Sequence, residues 1–258
     1  MTAAYRNRVE RAFGAADEYD RHARVQRRVA DALAAHIAEA CTVPVGRALE
    51  IGCGTGFLTE ALVGRGIGSR WLVTDIAPEM VERSRERLGE RPGMTFAVLD
   101  GEFGMPPEPG FDLICSSLAM QWFDDTPAAA LRMREWLAPG GCLVFTTLGG
   151  GSFAEWRAAH AREGLSCGAL DLPAVETWRR ALPDARIDVS RYVEHHDNAR
   201  GFLRALKAIG AGTPARAHRP LTAPQLRRVM ANFEATGCEV TYEVVTCVLE
   251  AGDGRAPR

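Results

Sequence analysis

Apolar and polar positions change period along this chain, and the changes define its elements. Between about Val9 and Ala40, residues such as Val25, Val29, Leu33 and Ile37 recur at helical spacing, which predicts one or two amphipathic helices before the first strand. Short apolar runs then alternate with helical patterns. Ala48, Leu49 and Ile51 predict a buried parallel strand with a helix beginning near Phe57; Trp71 to Val73, ended by Asp75, predict a second strand. Thr95 to Leu99 and Phe111 to Ser117 predict the third and fourth, and a turn over Ala138 to Gly141 leads into a fifth, Cys142 to Thr147. After Gly149-Gly150-Gly151 the alternation is interrupted. Helical patterns follow over Phe153 to Glu163 and Ala174 to Leu182, then a strand-like run over Ile187 to His195. Helices over Ala199 to Ile209 and Ala223 to Phe233 precede a closing strand, Val240 to Leu249, rich in Val and Thr. This order predicts an α/β chain: a Rossmann-like doubly wound, mostly parallel sheet with a helical lid insertion after the fifth strand. A single domain, 1–258, is expected, comprising an N-terminal helical cap (1–40), a ligand-binding core (41–149), a lid over the substrate (150–220) and a closing helix and strand (221–250). The tail from Gly252 reads as disordered.

Composition agrees with one domain: 258 residues, 47% of them hydrophobic, bury a sizeable core. Cys41, Cys53, Cys115, Cys142, Cys167, Cys238 and Cys247 include no Cys-x-x-Cys, and several fall on predicted strands. They read as small buried hydrophobes in a reducing compartment. With no apolar run of about 18 residues and no apolar signal region, a cytoplasmic protein without a membrane partner is expected. A formal net charge of -2 gives no global case for nucleic acid. Locally the charge is uneven, because Asn198 to Phe233 contain Arg200, Arg204, Lys207, Arg216, Arg219, Arg227 and Arg228 and no acid. That block reads either as a solvated helix face or as a docking surface for an acidic partner or anionic substrate. Arg204 and Lys207, the sole lysine, stand three apart on one helix face and are candidates to bind one anion. The six histidines make no ligand-spaced pair with Cys or an acid, so no metal is expected.

Candidate chemistry centres on ALEIGCGTGFLTEAL, in which Gly52, Gly54 and Gly56 let the backbone turn sharply and approach a ligand. A dinucleotide site wants Gly-x-Gly-x-x-Gly, but Phe57 stands three after Gly54 and Thr59 three after Gly56. Glu50, two places before the first glycine, points to a ligand with a cationic amino group. About 20 residues past the glycines, Asp75, followed by Ile76, reads as an acceptor for ribose hydroxyls or as a cap. Asp100-Gly101-Glu102 ends the third strand, and Asp-Gly is common turn chemistry. Ser117, Leu118, Gln121 and Trp122 lie past the carboxyl end of the fourth, where open α/β sheets hold ligands. The whole segment resembles the S-adenosylmethionine-dependent methyltransferases, a resemblance that implies an adenine-edge acid in Asp100-Gly101-Glu102.

The resemblance narrows further along the chain. FGAADEYDRHARVQRRVADAL at the N-terminus, SSLAMQW after the fourth strand, FTTL in the fifth and LKAIGA over Leu206 to Ala211 are similar to the malonyl-[acyl-carrier protein] O-methyltransferases of biotin synthesis, from Phe13 to about Leu249. The resemblance implies methyl transfer from S-adenosylmethionine to the free carboxylate of a malonyl thioester on acyl-carrier protein. A carboxylate is already ionised at neutral pH, so no general base is expected. The resemblance sets Tyr19 on a helix folding over the cofactor, where its phenol can bond a carboxylate; a partly buried aromatic with a wet hydroxyl is the plainer reading. Trp122 divides likewise between core packing and walling the transfer pocket. Arg216, Arg219, Arg227 and Arg228 are expected to meet the acidic carrier. A methyltransferase of small free acids and a non-catalytic S-adenosylmethionine-binding protein are the alternatives.

Overall fold

β1 (Arg47–Ile51) is apolar on both faces, with Ala48, Leu49 and Ile51 buried, and therefore belongs in the interior of a sheet covered on both sides. The computed structural model, which describes residues 3–14, 18–40, 44–212 and 219–251, places it there. The elements that follow are α4 (Phe57–Val63), β2 (Arg70–Asp75), α5 (Pro78–Leu88), β3 (Met94–Val98) and β4 (Phe111–Ser117). A 3₁₀ turn (Met120–Trp122), α6 (Thr126–Arg134), β5 (Leu137–Leu148), α7 (Ala154–Ala161) and α8 (Val175–Ala181) come next. The chain closes with β6 (Arg186–His195), α9 (Ala199–Ala208), α10 (Ala223–Glu234) and β7 (Glu239–Glu250). The sheet has the order β3-β2-β1-β4-β5-β7-β6, parallel from β3 to β5 and antiparallel at β7 and β6.

The period of two sorts the core. Ala48, Leu113, Cys115 and Val144 face α3 (Arg24–Ala40) and α4, where Leu33, Ile37, Leu58 and Leu62 cover them. Leu49, Ile51, Ile114, Leu143 and Phe145 face the other side, covered by Met133 of α6 and Trp178 of α8. A third apolar cluster joins Trp156 of α7, Phe202 of α9 and Phe233 of α10, with Trp156 edge-on to both phenylalanines at 5.3 Å. It stands above the carboxyl ends of the strands.

Several differences from the sequence reading have local causes. The N-terminal segment forms three helices, α1 (Ala3–Gly14), α2 (Tyr19–His22) and α3, with fully buried Ala23 between the last two. The expected turn at Ala138 to Gly141 sits inside β5: Leu137 pairs Phe111 and Cys142 pairs Leu113, so these four residues bulge against Asp112 alone. The helical insertion after β5 is present, but β6 within it pairs along its length with β7, and α8 packs under the sheet. Helices α7 and α9, together with α10, are what stands over the ligand side. Gly252 onward, Cys41 and Arg216 lie outside the described residues. Among the described residues no helix is long and apolar enough to cross a membrane.

Candidate active site

The β1–α4 loop is built around a buried carboxylate. Asp75, at the end of β2, accepts the Gly54 N–H on Oδ2 and the Ala77 N–H on Oδ1, each at 2.9 Å. Burial raises its pKa, and these backbone donors pull the other way. Gly52 turns the chain with φ +69°, and a Cβ there would meet the Ala119 side chain at 2.3 Å, so only glycine fits. The loop thereby frames a crevice at the carboxyl ends of β1 to β4, lined by Gly52, Gly54, Asp75, Ile76, Asp100, Gly101, Glu102, Ser117 and Leu118. Ile51, Met80, Leu99 and Phe123 supply apolar walls that the sequence reading did not single out. Asp75, Asp100 and Glu102 line this crevice, and among the described residues no Lys or Arg does.

Two expected cofactor residues are elsewhere. Glu50 points to the α3–α4 face, because alternation puts it opposite Leu49 and Ile51; its buried carboxyl accepts the Thr59 hydroxyl. Burial pushes its pKa up to about 8, against the Thr59 hydrogen bond. Gly56 is the residue before α4, and a Cβ there would meet Ser84 and the side chains of α5. Both support the loop from behind and do not line the crevice. Asp100 Oδ1 accepts the N–H groups of Glu102 and Phe103, and Glu102 Oε1 those of Asp124 and Asp125. The turn reading of Asp100-Gly101-Glu102 and its place in the crevice therefore hold together.

A second, larger cavity of about 880 Å³ adjoins the first. Its walls are mostly apolar: Leu148, Phe153, Trp156, Leu170, Phe202, Leu203, Leu206 and Leu226 among them. Among the described residues its charged lining includes Arg8, Arg11 and Lys207 and no Asp or Glu. Phe13, Tyr19, Leu118 and Trp122 line both spaces and form their common wall. Phe13 and Trp122 meet edge to face at 5.4 Å. Leu118 sits in the left-handed region at φ 49°, a conformation a branched residue holds only under constraint; its N–H is tied to the Thr146 carbonyl at 3.1 Å.

Tyr19 is held in that wall by its neighbours. Asp20 accepts the Thr55 hydroxyl at 2.7 Å and pairs with Arg87, whose Nε donates to the Thr55 carbonyl at 2.6 Å. Arg87 also reaches Glu60 at 3.2 Å and lies 4.6 Å over the Phe57 ring. Asp20, Thr55 and Arg87 thus fasten α2 to the glycine loop and to α5. Burial, with Asp75 and Asp20 nearby, raises the Tyr19 pKa, so the phenol stays protonated.

The expected basic residues separate. Lys207 lines the large cavity at its exposed rim, whereas Arg204 is exposed outside it, because α9 turns Leu203 and Leu206 inward. Arg219 and Arg227 are exposed. Arg228 pairs with Glu163 at 2.5 Å and lowers that carboxyl's pKa. Among the described residues no three His, Cys, Asp or Glu side chains gather as a metal site.

An acidic, glycine-framed crevice at the carboxyl ends of a Rossmann-like sheet, with no basic group for a pyrophosphate among the described residues, defines a class I methyltransferase, whose methyl donor is S-adenosylmethionine. Residues 49–143 match the methyltransferase domain family. The fold is similar to that of the YcgJ protein from Bacillus subtilis (TM-score 0.60, 13% identity, 86% of this chain and 99% of that one). The N-methyltransferase NodS from Bradyrhizobium japonicum WM9 is also similar (TM-score 0.51, 18% identity, 88% and 97%). The chain is 42% identical over 253 residues to the biotin biosynthesis bifunctional protein BioCD of Bordetella avium, covering 98% of itself and 53% of that protein, so it spans about half the length of that relative. It is 39% identical over 247 residues to the malonyl-[acyl-carrier protein] O-methyltransferase of Magnetococcus marinus, covering 92% of itself and 90% of that protein. The chain belongs to the malonyl-[acyl-carrier protein] O-methyltransferase family.

Proposed function

We propose that this protein transfers the methyl group of S-adenosylmethionine to the free carboxylate of a malonyl group carried as a thioester on acyl-carrier protein, in the cytoplasm. The observation that carries the reading is the pair of oppositely charged spaces sharing one wall. The crevice with Asp75, Asp100 and Glu102 suits a cationic donor, and the cavity with Arg8, Arg11 and Lys207 suits an anionic acceptor.

The donor supplies an electrophilic methyl group on a sulfonium. The acceptor carboxylate is ionised at neutral pH, so the protein has no proton to remove. Its task is to align oxygen with methyl and keep water out, which falls to Phe13, Tyr19, Leu118 and Trp122 in the shared wall. Tyr19, kept protonated, donates to the carboxylate and positions it. A neutral donor suits this reaction better than a cation, because the carboxylate loses its charge in the transition state and a fixed cation would stabilise the ground state more. The malonyl carboxylate in this reading goes to Tyr19, with Lys207, exposed at the cavity's edge, drawing the anionic acceptor in and Arg204 outside the cavity. Asp75 retains lone pairs for ribose hydroxyls on both oxygens.

A cavity of about 880 Å³ is far larger than a small dicarboxylic acid needs and belongs to the size class of extended ligands. The test is methyl transfer to malonyl carrier protein, malonyl coenzyme A and free malonate, assayed side by side. Carrier protein is expected to be the best acceptor and malonate the poorest. Equal turnover of free malonate would replace this reading with that of a small-acid methyltransferase.

A further inference from the structure

The wall between the two spaces begins with a backbone departure at the end of β4. Leu118, at φ 49°, bends the chain out of line with the strand and carries Met120–Trp122 across the carboxyl end of the sheet. The turn then divides the spaces: Ala119 lines the donor crevice alone, Gln121 the large cavity alone, and Leu118 and Trp122 line both. A branched L residue keeps a left-handed backbone only when its peptide groups are tied, and both of Leu118's are. Its N–H is shared between the carbonyl and the hydroxyl of buried Thr146, at 3.1 and 3.2 Å, and its carbonyl accepts the side-chain amide of Gln121. Among the described residues the Gln121 Oε1 is buried without a hydrogen-bond partner, which costs free energy. An apolar side chain would fill this place at lower cost, so what the amide returns is its bond to Leu118.

We propose that Gln121 is a positioning residue for methyl transfer, acting through Leu118: its hydrogen bond keeps the Leu118 side chain in the shared wall, where it holds the acceptor oxygen in line with the methyl group. The assignment rests on the acceptor reading above and adds to it a residue that works at one remove. An in-line displacement loses rate steeply when the reacting atoms are misplaced by a fraction of an ångström. Without the Gln121 bond, Leu118 can relax towards the ordinary right-handed backbone and withdraw its side chain, which widens the passage and admits water. The donor loop is fixed separately, by Asp75 through the Gly54 and Ala77 N–H groups. Loss of the bond therefore acts on the transfer step and leaves donor binding in place.

The experiment measures single-turnover methyl transfer to malonyl carrier protein, at saturating donor and acceptor, in wild type, Gln121→Met, Leu118→Ala and the double variant. Steady-state KM for the acceptor, calorimetric affinity for S-adenosylhomocysteine and thermal melts accompany it. Methionine keeps the length of glutamine and cannot donate a hydrogen bond. Gln121→Met is expected to slow transfer by about tenfold, the scale of one hydrogen bond, while KM and S-adenosylhomocysteine affinity change by less than about threefold. The double variant should be no slower than Leu118→Ala, since a residue that acts through Leu118 then has nothing left to position. Full rate in Gln121→Met overturns the proposal. So do additive losses in the double variant, which would make Gln121 act independently of Leu118, and a loss of rate that tracks affinity and melting temperature together, which is what a merely structural role gives. A wild type that methylates no malonyl thioester overturns the acceptor reading and the positioning role with it; an active wild type with any of the three results just named overturns the positioning role alone.

Discussion

Glu50 shows how one residue's position in a strand decides its chemistry. Alternation along β1 turns it beneath α4, where the Thr59 hydroxyl meets it and burial pushes its pKa up to about 8. In the unfolded chain a glutamate titrates near 4.3. Between that value and about 8 the folded protein holds a proton that the unfolded chain has released. Its contribution to stability is whole at acid pH and is lost as pH rises through the folded value, at up to about 1.4 kcal/mol per pH unit. Glu50→Gln removes that titration while keeping shape and hydrogen bond. Thermal melts from pH 5 to 8.5 should therefore fall less steeply for the variant than for wild type. Parallel curves would mean that Glu50 is ionised in the folded protein throughout.

At the scale of elements, α2 is a four-residue helix with no buried side chain of its own, so packing alone does not hold it. What fastens it is the set of bonds from Asp20 to Thr55 and Arg87. A helix this short is not stable by propensity, and its attachment decides whether Tyr19 covers the glycine loop. Asp20→Ala is expected to raise the dissociation constant for S-adenosylmethionine by roughly tenfold, the scale of one charge-assisted bond. The melting temperature should change little, because Asp20 is exposed and the core clusters do not include it. Calorimetry with the donor and with S-adenosylhomocysteine checks this, and an unchanged affinity would leave α2 fastened by other contacts.

For the whole molecule, charge distribution matters more than net charge. Arg219 and Arg227 are exposed in a segment without acids, whereas Arg228 is tied to Glu163 and its charge is partly used within the fold. Docking of an acidic carrier is therefore expected to depend on the first two. Arg219→Glu with Arg227→Glu should raise KM for malonyl carrier protein and flatten its dependence on salt, since rim charges act mainly on association. Turnover of malonyl pantetheine should not follow. Kinetics at low and high ionic strength read the difference, and an unaltered salt dependence would make this face a solvated one.

The sequence by itself determined the strands, the helices and the motif that the donor crevice is built on. β1 and β4 are legible because a strand buried on both faces is apolar at most of its positions, Glu50 and Asp112 being exceptions that hydrogen bonds hold, and Gly52 because its φ and the Ala119 contact exclude a side chain. It also made Asp75 legible, since spacing along a βαβ unit is local. The tertiary structure alone decided which side chains meet. Arg8, Arg11 and Phe13 join the site because α1 crosses to Gly210, nearly the length of the chain away, and no local pattern encodes that approach. The same holds for β6, whose place at the sheet edge depends on pairing with β7, and for Arg204 and Lys207, which share a helix but part company once α9 packs against Trp156 and Phe233. Periodicity fixes the face a residue occupies within its own element; the direction that face takes in the protein is set by contacts between segments far apart in the chain.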